Sequence, residues 1–293
     1  MGVKIKNMRY ILLTAARNEE KNIEKTIKSV ITQTIKPAQW VIISDGSTDR
    51  TDEIVLSYAK KNKFIKFLRA SGDKQHNFGS KVKAINFARS QVDIKVYDYI
   101  GVIDADISFP EDYFEELIKR FAKNRNLGIG GGIIYEIYNG RKIRQNIDPN
   151  SVAGAVQLFR YRCIEQLGDF IPLTYGGEDA AMEIIARMNS WEVRTFPELH
   201  VMHYGYAGRG SGNLLKAKFN RGIRFYQLGY HPMFQFIRCV YRIVDLPYVV
   251  GSAVELYSYF LCHIKNEKRM LPDETVAFLR NEQMGRLKFF KRG

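Results

Sequence analysis

Hydrophobic and polar positions alternate between two rhythms along the first 125 residues. Short apolar runs at 10–15, 40–44, 64–69 and 99–103 read as buried strands. Between them lie stretches with apolar residues at helical spacing. Ile23, Ile27, Val30 and Ile31 mark a helix over 22–33, and Val82, Ile85, Phe87 and Ala88 mark one over 81–91. A Ser/Thr/Asp cluster opens a helix over 48–62, and Pro110-Glu111-Asp112 opens one over 112–123. Strands alternating with helices imply parallel pairing with right-handed crossovers, an α/β fold.

After Arg125 the rhythm changes. Residues 128–138 are glycine-rich and β-prone, 139–150 form a polar, turn-rich connection, and 151–166 and 179–189 carry helical spacing. Residues 191–196 read as a further strand, and 197–212 as a Gly-, Tyr- and Arg-rich loop. From 213 onward the chain reads as helical and partly amphipathic. The apolar stretch 243–264 is interrupted by Asp245, Pro247 and Glu255, which suits an interfacial pair of helices or a packed appendage better than a membrane span. The division expected is 1–212 as one domain, with a nucleotide-binding half over about 8–125 and an acceptor half over about 126–212, followed by a helical extension over 213–293.

Composition narrows the classes. An apolar content of 45% in 293 residues is enough for a full core and excludes a disordered chain. Cys163, Cys239 and Cys262 are scattered without metal-binding spacing, which suits a reducing compartment. The apolar stretch after Arg9 is too short for a secretory core and is followed at once by Arg17-Asn18-Glu19-Glu20. The expected location is cytoplasmic, with peripheral contact at the inner face of the cell membrane. The net charge is +14, and no acid occurs between Glu198 and Asp245, where Arg209, Lys216, Lys218, Arg221, Arg224, Arg238 and Arg242 fall. That block, with the basic end that carries Phe289 and Phe290, points to an anionic partner.

Three acid clusters carry the chemistry: Ser44-Asp45-Gly46-Ser47, Asp104-Ala105-Asp106 and Glu178-Asp179. The first two follow predicted strands, so they fall at the carboxyl edge of a parallel sheet, where α/β proteins bind ligands. An Asp-x-Asp there suits Mg²⁺ or Mn²⁺ and, through it, a diphosphate. Asp45 suits hydrogen bonds from a base or ribose. Ala15 and Ala16 allow a planar base to approach the backbone.

These pieces resemble family 2 glycosyltransferases, which have the GT-A nucleotide-diphosphosugar transferase fold, a Rossmann-like, mostly parallel sheet flanked by helices. The resemblance runs through Thr14-Ala15-Ala16-Arg17-Asn18-Glu19-Glu20-Lys21-Asn22-Ile23, Ser29-Val30, Gln33-Thr34, Ser44-Asp45-Gly46-Ser47-Thr48-Asp49 and the 81–86 helix start. It continues through Asp104-Ala105-Asp106, Gly176-Gly177-Glu178-Asp179 and Pro197 to His203, covering roughly 8–205. It implies a nucleotide-sugar site at Ala15, Arg17, Glu19, Asp45, Lys81, Asp104 and Ala105, with Asp106 as metal ligand and His203 as a second metal contact. Asp179 would be the general base, oriented by Glu178. Arg17 stands where many members have an aromatic residue, which replaces base stacking with a cationic contact. Arg209, Lys218 or Arg221 would close over the pyrophosphate. The expected reaction is inverting transfer of a sugar to a saccharide or lipid-linked acceptor hydroxyl.

Two competing readings are weaker. A sugar nucleotidyltransferase would need a glycine-rich basic loop after the first strand, where residues 15–20 hold no glycine. A basic nucleic-acid-binding protein leaves the acid clusters unexplained, since they would repel phosphates. No nucleic-acid partner is expected, and the sequence does not fix the oligomeric state.

Overall fold

The computed structural model describes residues 8–70, 78–138, 141–205 and 214–290. The chain divides into two compact units, Met1–Pro172 with Glu178–Gly205, and Leu173–Gly177 with Tyr206–Gly293.

The first unit is built on a sheet whose leading strands are β1 (Tyr10–Ala16), β2 (Gln39–Asp45), β3 (Ile65–Ala70) and β4 (Tyr99–Ile103). They pair in parallel in the order β3-β2-β1-β4. The crossovers carry α1 (Ile23–Ile31), α2 (Thr51–Ala59) and α3 (Phe78–Ser90). β1 shows why both faces are covered. Tyr10 and Leu12 join a cluster with Trp40, Ile27 and Phe114, while Ile11 and Leu13 join one with Val41, Val82 and Ile85. Side chains alternate across a strand, so an all-apolar strand needs helices on both sides.

The remainder adds the short β5 (Ile107–Ser108), α4 (Tyr113–Lys123), β6 (Leu127–Tyr138), β7 (Arg141–Arg144), β8 (Val156–Arg160), α5 (Tyr161–Leu167), α6 (Glu178–Met188) and β9 (Glu192–His203). Here antiparallel pairs extend the sheet: β8 lies between β4 and β6, and β5 pairs β9. The glycine-rich start of β6 permits close approach. A Cβ on Gly132 would fall 2.3 Å from the Leu199 carbonyl, and one on Gly131 2.5 Å from that of Val156.

Two expectations are corrected. Residues 151–166 are not one helix: β8 occupies Val156–Arg160 and only Tyr161–Leu167 is helical. Val156 to Phe159 are buried on both faces, so the run lacks the alternation that separates strand from helix. The strand expected at 191–196 continues to His203, because the ladder steps from Gly132–Phe196 to Ile133–His200 and leaves 197–199 as a bulge that houses Pro197.

The second unit contains α7 (Leu214–Gln227), α8 (Pro232–Tyr241), α9 (Val250–Ile264) and α10 (Asp273–Phe290). α7 meets α9 at Gly222, where a Cβ would lie 2.0 Å from Ser258 Oγ. The α8–α9 contact is ionic: buried Glu255 pairs with Arg221 of α7 and Arg238 of α8, and accepts a hydrogen bond from Gln235. Among the described residues no helix is long and apolar enough to cross a membrane. Arg209 and the 212/213 boundary lie outside the described residues, as do the side chains of Phe289 and Phe290.

Candidate active site

The loops after β1 and β2 are sewn together by hydrogen bonds of their own. Asn18 adopts φ 56°, a left-handed conformation that Asn tolerates, and its side chain accepts from the Thr48 N–H at 2.8 Å. The Glu19 N–H donates to Thr51 Oγ1 at 2.7 Å, and the Glu20 N–H to Asp49 Oδ2 at 3.0 Å. This holds Arg17 beside Asp45, with 3.5 Å between Nη1 and Oδ2. The cationic side chain thus sits against the carboxylate that ends β2.

The turn after β4 is fixed from several sides. The Asp104 N–H donates to the Ala155 carbonyl at 2.9 Å. Thr26 Oγ1 donates to the Ala105 carbonyl and accepts from the Ile107 N–H, at 2.8 and 3.1 Å. The Tyr204 N–H donates to the Asp106 carbonyl at 2.8 Å. Backbone satisfaction leaves the side chains of Asp104 and Asp106 for other work.

Around them lies a cavity of about 210 Å³ lined by Ala15, Ala16, Arg17, Glu19, Asp45, Lys81, Asp104, Ala105 and Asp106. Lys81, at the start of α3, reaches Asp104 Oδ1 at 2.5 Å. Burial works against its charge, but Asp104, Glu178 and Asp179 outweigh that and raise its pKa. Glu19 is pushed up to about 7, first by burial and then by the charges of Asp106 and Asp104. A site that raises a carboxyl in this way is short of positive charge.

His203 joins the acids through strand register. It pairs across β5 with Ile107, next to Asp106, and across β6 with Glu136. Its Nε2 lies 3.3 Å from Asp106 Oδ2 and its Nδ1 3.5 Å from Glu136 Oε1. Burial alone would lower its pKa, but the hydrogen bond and charge of Asp106, with Asp104 and Glu136, push it up to about 9. One ligand atom each from Asp104, Asp106 and His203 fall within 4.8 Å of one another. Two carboxylates and an imidazole form a donor set fit for Mn²⁺, and less so for Mg²⁺, which favours oxygen. Glu136 stands behind the imidazole, close to the ring nitrogen that faces away from Asp106 but without a hydrogen bond to it. Gly205 keeps the spot open, since a Cβ there would meet Asp106 Oδ2 at 1.8 Å.

A second, smaller cavity of about 20 Å³ shares Lys81 and is lined by Glu178 and Asp179 with Val82, Gly154, Gln157 and Phe170. Both acids stand in the first turn of α6, where the helix dipole favours negative charge. Gly176 and Gly177, at φ 77° and 102°, make the turn into that helix. Burial and the Asp179 charge raise the Glu178 pKa, against the pull of Lys81. Gly154 packs against Asp179, since a Cβ there would sit 2.6 Å from Asp179 Oδ2 and displace the carboxylate.

The structure therefore gathers Ala15, Arg17, Glu19, Asp45, Lys81, Asp104, Ala105 and Asp106 in one cavity, with His203 on Asp106 and Glu178 and Asp179 next door. Arg221 and Lys218 are placed otherwise. Arg221 is committed to Glu255, and Lys218 is buried on α7. Three residues near these groups were not singled out from sequence. Glu136 sits behind His203, Gly154 lies under Asp179, and buried Glu183 is one turn beyond Asp179 on α6.

The chain is similar to known proteins in sequence and in fold. A poly-beta-1,6-N-acetyl-D-glucosamine synthase of Staphylococcus epidermidis is 32% identical over 152 residues, 52% of this chain and 32% of that protein. One from Staphylococcus aureus is 31% identical over 149 residues. The chain spans about a third of the length of these relatives. Among solved structures, a mannosyltransferase from Pyrobaculum calidifontis in complex with GDP-Man and Mn²⁺ matches with a TM-score of 0.58 at 15% identity, covering 89% of this chain and 76% of that one. S. aureus TarS 1–349 in complex with UDP-GlcNAc gives 0.55 at 15%, covering 89% and 74%. These share the GT-A fold. The model of the family described as Glycosyl transferase family 2 matches residues 12–180, more than half of the sequence, and the chain belongs to that family.

Proposed function

We propose that the chain moves a sugar from a nucleotide-diphosphosugar to an acceptor hydroxyl with inversion at the anomeric carbon, residues 8–125 holding the nucleotide and 126–212 the acceptor. The observation that carries this is the single cavity uniting Arg17 and Asp45 with Lys81, Asp104 and Asp106, beside a second that holds Asp179. In this reading the Arg17–Asp45 pair meets the base and Asp104 meets the ribose. Lys81, common to both cavities, faces the diphosphate. Asp106 and His203 would hold Mn²⁺ or Mg²⁺, with Asp104 beside them. When bound, the cation neutralises charge on the departing nucleoside diphosphate.

Asp179 takes the proton of the acceptor hydroxyl as that oxygen attacks the anomeric carbon. The carbon–oxygen bond to the diphosphate breaks in the same displacement, and the nucleoside diphosphate leaves. Glu178 keeps Asp179 oriented toward the acceptor. One direct displacement without a covalent intermediate inverts the centre.

UDP-N-acetylglucosamine is the first donor to try, on the strength of the Staphylococcus names and the ligand of TarS. A growing saccharide or lipid-linked acceptor follows from the same names. The test is thermal stability against UDP- and GDP-sugars with and without Mn²⁺, for the wild type and Asp106→Ala. A metal-dependent rise with one nucleotide class, absent from the variant, is the expected result. Equal stabilisation of the two proteins would overturn the role given to Asp106.

A further inference from the structure

Two helices of the second unit, α8 and α9, wear their polarity inside out. α9 buries Ser252, Glu255, Ser258, Tyr259 and Cys262. The stripe it turns to solvent is Val250, Ala253, Tyr257, Phe260 and Ile264, spaced three or four residues apart and without a charge. Ile264 is 83% exposed and Tyr257 63%. α8 repeats the arrangement: Gln235 and Cys239 are buried, and Met233, Phe236 and Val240 face outward. The connection between the two helices exposes Ile243, Val244, Leu246 and Tyr248. Among the described residues, 16 of the 21 large apolar side chains left exposed fall in this unit, so the surface is concentrated rather than scattered.

We propose that the outward face of α8, α9 and their connecting loop is a docking surface for an anionic lipid bilayer, with α9 lying in the plane of the interface. α9 has 15 residues, too few to span a bilayer, which takes about 20. An apolar stripe along its whole length fits a helix half-sunk among headgroups. Tyr248 and Tyr257 suit the boundary, where an apolar ring and a polar hydroxyl are both satisfied.

Charge selects the occupant. Residues 206–293 carry 15 Lys and Arg against 6 Asp and Glu. At the end of α9, Lys265 and Lys268 are exposed beside the apolar stripe. Arg242, at the end of α8, is already matched by Asp245 at 2.6 Å. A second copy of the same face would oppose one basic border with another, whereas anionic headgroups compensate it. Protein interfaces of stable size also carry about one hydrogen bond per 100–200 Å². The α9 stripe offers a single side-chain hydroxyl, that of Tyr257.

The test uses the full chain in vesicle flotation, with phosphatidylcholine alone and with phosphatidylglycerol added. The wild type floats with the anionic vesicles, less so at high salt. Replacing Val250, Tyr257 and Ile264 together by Ser lowers partitioning by at least about a hundredfold. Lys265→Glu with Lys268→Glu lowers it about tenfold. All five positions are exposed, so thermal unfolding and donor binding stay as in the wild type. Tyr257→Trp supplies a second readout that does not depend on the triple variant folding: the indole emission it adds shifts to the blue on anionic vesicles. A wild type that floats with neither vesicle overturns the proposal, as does a triple variant that floats equally well or an emission from the Tyr257→Trp protein that does not move. A concentration-dependent dimer in sedimentation velocity, lost in the triple variant and without vesicle binding, would assign the face to a second copy instead. None of these readouts requires sugar transfer, so their failure leaves the donor site untouched.

Discussion

The two units place charge in opposite ways. In the first, apolar strands fill the interior and ionisable groups collect at the carboxyl edge of the sheet, around cavities where their charges go partly unmatched. In the second, a buried carboxylate meets two half-buried guanidinium groups, and the large apolar side chains of α8, α9 and their connection face outward. The difference teaches that burial and purpose are separable. Unmatched charge at an open edge is available to a ligand, whereas matched charge in an interior is spent on holding helices together. Glu19, raised to about 7, shows the first condition, and Glu255, whose pKa Arg221 and Arg238 lower despite burial, shows the second.

The largest expected effect breaks the first half of the comparison. Asp179→Asn keeps the shape of the first turn of α6 and removes the proton acceptor. Turnover should fall by about a thousandfold with donor binding retained. The check is kcat against KM for the donor, with donor binding measured separately. A variant that turns over within a few-fold of the wild type would mean that the base is elsewhere.

Next in size is a cut at the centre of the second unit. Glu255→Ala strands Arg221 and Arg238 without a counter-charge in a buried place, and should cost about 3–5 kcal/mol. Chemical denaturation, followed by a probe in each unit, reads it. Loss confined to the helical unit is the expected outcome. A cost below about 1 kcal/mol, on the scale of an exposed ion pair, would show that the node is not the support described.

Much of the site was legible because parallel sheets put chemistry in a known place. Asp45 and Asp104 end runs of buried residues, so their position at the sheet edge followed from period and turn alone. His203 was reachable only through resemblance, since its neighbour Asp106 is 97 residues away and the link is a bulged strand. Glu136 had no signal at all: it matters through its register against His203, and its own stretch reads as ordinary strand. The strand at Val156–Arg160 was hidden by burial on both faces, and the helical reading of 151–166 failed there. For α9 and the connection before it the apolar content of 243–264 was plain, but which side faced inward was not. That depends on Arg221 and Arg238 meeting Glu255 from other helices.

The last effect sharpens the comparison, because one buried carboxyl of the first unit holds neighbouring segments as Glu255 does, yet its pKa moves the opposite way. Glu183 is buried on α6 and holds the segment that leads into β8. Its carboxylate accepts from Ser151 Oγ at 2.8 Å, the Val152 N–H at 2.7 Å and Gln157 Nε2 at 3.3 Å, with Arg187 3.8 Å away. Burial and the charge of Asp179 nevertheless push its pKa up to about 8 from 4.5, against those hydrogen bonds and Arg187. The folded protein therefore keeps a proton that the unfolded chain releases near 4.5, and stability drains away as pH rises from there through 8. Glu183→Gln is neutral throughout, so it should nearly match the wild type at the acid end and exceed it progressively as the pH rises through 8. Unfolding free energy across that window checks the slope. A slope unchanged by the substitution would mean that Arg187 and the three hydrogen bonds already neutralise the carboxylate, making Glu183 a matched interior charge of the same kind as Glu255.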